Sequence, residues 1–263
     1  LSEAPIQRLN ANRILLTIDL TTSVLRESLS TPTLFIVSYH PTIFKPLSSI
    51  TLSNPLQASL LTCAANGISV YSPHTACDAV WGGVNDWLAD GVRVGQEEGQ
   101  IDILGQRKVD TNGVEEGGEG RVVRLNHPIE MSELEARIKK HLKLSQIQVG
   151  YSARSSKLIQ SVAMCAGSGG SMLLGHDADV YFTGEMSHHE VLAAVAAGKH
   201  VVLCGHTNTE RGYLPVLAAR LRAELQNFRS TDAFESLATT DQDIVRHLEV
   251  HVSVEDRHPL QFV

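Results

Sequence analysis

What the 263-residue chain lacks narrows it first. Its four cysteines, Cys63, Cys77, Cys165 and Cys204, lie far apart with no C-x-x-C among them. That spacing argues against a disulfide framework and a zinc knuckle, and reads as reduced, mostly buried thiols of a cytosolic-type compartment. No apolar run approaches the roughly 20 residues that span a bilayer, so no membrane partner is expected. There is no basic excess either. Lys and Arg number 22 against 29 Asp and Glu, a net charge of −7, and no broad basic face for nucleic acid follows from that balance. No basic-then-apolar leader opens the chain at Leu1, so nothing reads as a secretory signal and a cytoplasmic location is expected. At 43% hydrophobic and 19% charged, the composition is that of neither a disordered chain nor a fibre. The length suits one large domain or two small halves. Histidine is the unusual count, at 12.

Apolar runs rich in Ile, Val and Leu recur, each followed by a small or polar turn and then a helical pattern, the signature of parallel βα units. In the first half, strands are predicted at Arg13–Ile18, Leu34–Ser38 and Gly67–Ser72, with helices near Thr22–Leu29, Ser53–Asn66 and Thr75–Asp90. From Gly91 to Gly120 the chain is glycine-rich and acidic, neither periodicity persists, and a loop or hinge with a short hairpin through Ile101–Leu104 and Arg121–Leu125 is expected. Ser132 and Glu135 form an S-x-x-E box before a helix over Glu133–Leu144, with Leu134, Ile138 and Leu142 as its apolar stripe. A second run repeats the first, with strands at Leu158–Cys165, Val180–Thr183 and His200–Cys204 and helices near Ser171–Leu174, Ser187–Ala197 and Tyr213–Gln226. A last strand at His247–Val254 closes the chain. The expected organisation is a first α/β lobe over 1–90, an acidic Gly-rich connection plus capped helix over 91–145, and a second α/β lobe over 146–263.

In open parallel sheets ligands bind outside the carboxyl ends of strands, and His40, His74 and His206 each follow a strand. In Gly205-His206-Thr207-Asn208-Thr209-Glu210-Arg211-Gly212 a carboxylate stands four residues after the imidazole, just before a helix that admits Pro215 only in its first turn. The pattern His74 then Asp78 repeats that spacing in the first half. Mixed nitrogen and oxygen donors of this kind suit Zn²⁺, Mn²⁺, Fe²⁺ or Co²⁺. The bland alternative is that His40 merely finishes an extended segment and that Asp78 and Glu210 are first-turn acids favoured by the helix dipole. Glu185 precedes a helix and suits a role behind a ligand or in proton transfer, whereas Glu190 pairs with Ser187 in a second S-x-x-E box.

The small-residue stretch Gly167-Ser168-Gly169-Gly170 resembles an anion-binding turn, although it carries no P-loop lysine and no G-x-G-x-x-G spacing. A plain tight turn is the alternative. It also admits a nucleophile elbow with Ser168, Asp179 and His206 in the required order, without an accompanying oxyanion segment. His127, His141, His176, His200, His247, His251 and His258 have no such setting and read as surface or packed residues.

The segments Ser38-Tyr39-His40-Pro41-Thr42-Ile43-Phe44, Ser72-Pro73-His74-Thr75-Ala76-Cys77-Asp78-Ala79, Thr183-Gly184-Glu185-Met186-Ser187-His188-His189-Glu190 and the His206 stretch, spanning nearly the whole chain, resemble the Nif-three-like family. Some of its members carry the name type 2 GTP cyclohydrolase I. The resemblance implies two βα lobes facing each other across a central metal cleft, a dinuclear site, and assembly into a homohexamer of dimers. By position, His40, Asp78, His206 and Glu210 would be the metal ligands, with Glu210 bridging. Where many members have a His-His doublet this chain has Tyr39-His40, which removes one ligand of the second ion, and members from eukaryotes share the Tyr-His-Pro form. The family's usual opening, with a Trp-Asp-Asn stretch, is expected upstream of Leu1.

The primary expectation is a metal-dependent, hydrolase-like protein that activates water on a nucleotide or other phosphorylated small molecule, with Glu185 or His74 moving the proton. The alternative is a metal-stabilised oligomeric scaffold that binds transcription-related partners with little turnover. A serine hydrolase through Ser168 is the third.

Overall fold

The computed structural model describes residues 1–260. The chain begins β1 (Arg13–Thr17), α1 (Thr22–Ser30), β2 (Thr33–Ser38), α2 (Pro55–Ala65), β3 (Ser69–Tyr71), α3 (Thr75–Ala79) and α4 (Val84–Val92). It continues through β4 (Gly99–Val109), β5 (Glu115–Glu130), α5 (Met131–Leu142), β6 (Gln148–Gly150), β7 (Leu158–Ser168), α6 (Gly170–Leu173), β8 (Val180–Glu185), α7 (His188–Ala196) and β9 (His200–Leu203). It ends with α8 (Leu214–Phe228), α9 (Asp232–Glu235), α10 (Thr239–His247) and β10 (Glu249–Val252). The mixed α/β class is as expected. Among the described residues no helix is long and apolar enough to cross a membrane.

The first compact unit comprises Leu1–His74 and Leu214–Arg257. Its four strands lie in the order β10-β1-β2-β3, all parallel. Leu15, Leu16 and Ile36 are wholly buried, because a parallel sheet is covered on both faces and its strands can be continuously apolar. The helices start where the side chains can cap them: Thr21 accepts from Val24 N–H before α1, and Asn54 accepts from Leu56 and Gln57 before the proline that opens α2. Both devices satisfy first-turn amides that have no helical partner.

The second unit is Thr75–Tyr213 together with the chain from His258. Its sheet runs β4-β5-β7-β8-β9-β6, with β7, β8 and β9 mutually parallel and the other pairings antiparallel. Leu134 and Ile138 of α5 bury against Val123, Ile159, Val162 and Phe182, with Leu142 packed at the margin, so the predicted apolar stripe faces the core.

These unit boundaries differ from those expected. The closing strand pairs with β1, Arg13 opposite Glu249 through Leu16 opposite Val252, and thereby returns the last 44 residues up to Arg257 to the first unit. The stretch read as a hinge with a short hairpin is a longer one: the expected pairing of Ile101–Leu104 with Arg121–Leu125 is present, inside strands of 11 and 16 residues. Alternation is masked there because glycines occupy positions of close approach and charges pair across the strands. A β-carbon on Gly118 would stand 2.3 Å from Ile103 Cγ2, and across the hairpin Arg107 pairs with Glu115 and Lys108 with Glu119, while Arg107 also meets Asp102 on its own strand. The root of the hairpin is held by Arg121, which is wholly buried, grips Asp86 through two bonds of 2.8 Å and donates to the carbonyls of Val80, Gly118 and Gly120. The single helix expected over Thr75–Asp90 is two, broken at Gly82 and Gly83. The Ser132 box does not form: β5 runs straight into α5, the N-cap is Glu130, and no side chain caps it. The Ser187–Glu190 box does form.

Candidate metal centre

In the second unit, β9 ends into Gly205 and the short 3-10 turn His206–Thr209, after which Glu210 follows. His206 Nε2 lies 3.3 Å from Glu210 Oε1, and Nδ1 lies 2.8 Å from Glu185 Oε1 at the end of β8. The Glu210 side chain is 3% exposed and that of Glu185 56%. An acceptor on Nδ1 fixes the ring's tautomer and orientation and turns Nε2 toward the buried carboxylate. The turn itself is pinned: Thr209 Oγ1 donates to the His206 carbonyl at 2.7 Å and accepts from Gly167 N–H at 2.9 Å, and Asn208 donates to the Cys204 carbonyl. Thr207 Oγ1 is 2.8 Å from His258 Nδ1.

Hydrogen bonding and charge from Glu210, aided by Glu185, outweigh desolvation and raise the His206 pKa to about 9. Without a competing cation, the ring therefore holds a proton at neutral pH. The buried Glu210 carboxylate that stabilises that proton is also the one a divalent ion would find, since ligands must shed protons to bind metal. Gly167 adds a second sign. It adopts φ +67°, and a β-carbon there would stand 2.7 Å from Glu210 Oε1 and 2.9 Å from His206 Nε2. The missing side chain is what leaves room in front of these two polar atoms. Asp78 belongs to this unit too. Burial, and after it the charges of Asp78, Glu119 and Glu210, push the Cys165 thiol up to about 12.

In the first unit His40 follows β2, and Asp19 Oδ1 lies 2.9 Å from its Nδ1, repeating the arrangement of Glu185 behind His206. His74 follows β3, adopts φ +42°, and stands with its ring centroid 5.7 Å from that of His40. Tyr39 is buried and packs edge-on against both imidazoles.

Other expectations change. Two amides of the Gly167–Gly170 turn are already taken: Gly167 N–H is bonded to Thr209 and Gly169 N–H to Thr183 Oγ1 at 3.0 Å. Carboxylates crowd the stretch instead, Glu210 against Gly167 and Glu190 against Gly170, and Ser168 is the last residue of a strand. The serine triad fails, because Asp179 precedes β8 and accepts from Gln160 and Ser161, at the opposite end of the parallel strands from Ser168. Of the histidines read as surface or packed, His200 is buried and accepts from Ser152 N–H, His141 packs on Trp87 with centroids 4.4 Å apart, and His258 braces the His206 turn. Sequence reasoning missed Asp19 and Asn85. The strand-end rule that selected His40 would have found Asp19, which follows β1; nothing in the sequence singles out Asn85.

An α/β chain that places an imidazole and a buried carboxylate in contact at a strand end, with a second carboxylate behind the ring, has the donor set of a metal-binding protein. A family model described as Duf34/NIF3 (NGG1p interacting factor 3) matches residues 6–241, and the chain belongs to that family. It is 46% identical over 244 residues to the protein NIF3 homolog of Schizosaccharomyces pombe, covering 92% of this chain and 87% of that protein. It is 40% identical over 223 residues to NGG1-interacting factor 3 of Saccharomyces cerevisiae, covering 81% and 77%. The crystal structure of a Bacillus cereus protein related to NIF3 matches the fold with a TM-score of 0.75 at 18% identity, covering 100% of this chain and 93% of that one.

Proposed function

We propose that the chain is a metal-dependent, hydrolase-like protein acting on a nucleotide or another phosphorylated small molecule. His206 and Glu210 are the core ligands, with Asp78 of the same unit as a further ligand, of divalent ions of the Zn, Mn, Fe or Co type. The observation that carries the reading is the 3.3 Å imidazole–carboxylate pair, backed by Glu185 and cleared of any side chain by Gly167. The donors fit such ions, since the set is imidazole nitrogen and carboxylate oxygen with no thiolate. Divalent ions held there supply Lewis acidity, which acidifies water and polarises the bond under attack. The protein's own groups do the rest. Glu185 fixes the ring of His206, as Asp19 does that of His40, and Glu185 or His74 moves the proton. A cytoplasmic homohexamer is the proposed working form.

Metal analysis of the purified protein beside His206→Ala and Glu210→Gln tests the reading. Wild type is expected to carry divalent metal and each variant to lose most of it; unchanged content in both variants would refute the site. A second reading, a metal-stabilised scaffold for protein partners, draws support from the yeast relative's name as an interactor of NGG1. Metal-loaded wild type that turns over no phosphorylated substrate, yet needs its metal to retain a protein partner, would favour it.

A further inference from the structure

Asn85, wholly buried near the start of α4, uses its amide in three directions. Nδ2 donates to the carbonyl of Asp78 at 3.2 Å and to that of Glu119 at 3.0 Å, while Oδ1 accepts from Ala166 N–H at 2.9 Å. These three partners lie on α3, β5 and β7. At five residues α3 is too short to hold its own shape, so the position of Asp78 depends on what grips its backbone. Ala166 immediately precedes Gly167, the residue lying over His206 and Glu210.

We propose that Asn85 is a positioning residue of the candidate metal centre, holding the Asp78 segment at a fixed distance from the β7 turn that shapes the His206–Glu210 pair. The inference rests on the metal reading above. Asparagine suits the task because it combines two donors and an acceptor on one short, planar group. Aspartate has the same shape but no amide donors, and serine does not span the three partners.

The test is titration of the full chain with Co²⁺, followed by its visible absorption, for wild type, Asn85→Asp, Asn85→Ser and the control Ser152→Ala. Ser152 is also buried in this unit and bonds the Val195 carbonyl at 2.8 Å, apart from the His206 turn. The Asn85 variants are expected to bind about tenfold or more weakly, in the range for residues that orient metal ligands. Their bound spectra should be altered and hydrogen exchange over residues 75–79 faster, while Ser152→Ala keeps the wild-type spectrum and affinity. Asn85 variants that match wild type overturn the positioning role alone, and a wild type that takes up no Co²⁺ overturns the metal reading with it. Failure of both Asn85 variants to fold, where Ser152→Ala folds, assigns Asn85 to the fold rather than to the site and likewise overturns the proposal.

Discussion

Replacing Gly167 with alanine isolates the space in front of the His206–Glu210 pair. The added methyl would begin 2.7 Å from Glu210 Oε1 and 2.9 Å from His206 Nε2, both closer than a carbon and a polar atom can rest. A non-glycine residue in the left-handed region costs roughly 1–2 kcal/mol by itself. For a chain of this size that corresponds to a melting temperature lower by about 2–8 °C. Glu210 has little room to yield because its side chain is 3% exposed, so His206, at 31% exposed, is the group that swings away. That motion also strains the bond to Glu185. Metal affinity should therefore fall about 10–100-fold, the range observed when a ligand's orientation is lost, while the fold survives. Calorimetric titration with Mn²⁺ or Zn²⁺ alongside thermal melts reads the two effects separately. Wild-type affinity in Gly167→Ala, with only the melting temperature lowered, would show that the pair is not where the ion sits.

In chelator, the metal-free protein should lose stability as the pH rises from 6.5 toward 9, because the His206 pKa is raised in the fold from 6.5 to about 9 and the proton's contribution is complete only below the lower value. Melting temperatures of wild type and His206→Ala across that window should converge at the alkaline end; parallel curves would remove His206 as the source. With metal present the stabilisation should instead grow with pH, as the proton competes with the cation. Asp86→Asn strips the wholly buried Arg121 of its countercharge and should cost about 3–5 kcal/mol in urea unfolding, so a loss below about 1 kcal/mol would mean that Arg121 finds another partner. Ser187→Ala should cost about 1 kcal/mol through its lost capping box, and Ser132→Ala close to nothing, because only the former side chain caps a helix; equal losses would contradict that difference.

Wherever a local signal was sufficient, the chain's own order of residues was enough. The apolar runs of β1, β2, β8 and β9 mark parallel strands, Ser187 and Glu190 mark a helix start, and the strand-end rule selects His206 and Glu210, which the fold brings into contact. Non-local pairing was not legible. Of the hairpin β4–β5 only the short core through Ile101–Leu104 and Arg121–Leu125 could be read; the rest is held by ion pairs and close-packed glycines rather than by alternating burial, so it shows no period. The closing strand belongs to the first sheet because its edge partner β1 lies some 230 residues earlier in the chain, a separation that no window of sequence spans. Likewise the glycine-rich stretch at 167–170 has the composition of an anion cradle, yet Thr183 and Thr209 take two of its amides. Residue type and spacing set what each side chain can donate or accept, because those are properties of a few neighbouring atoms. Which partner takes up that capacity is decided by strands and turns that meet only after the chain has folded.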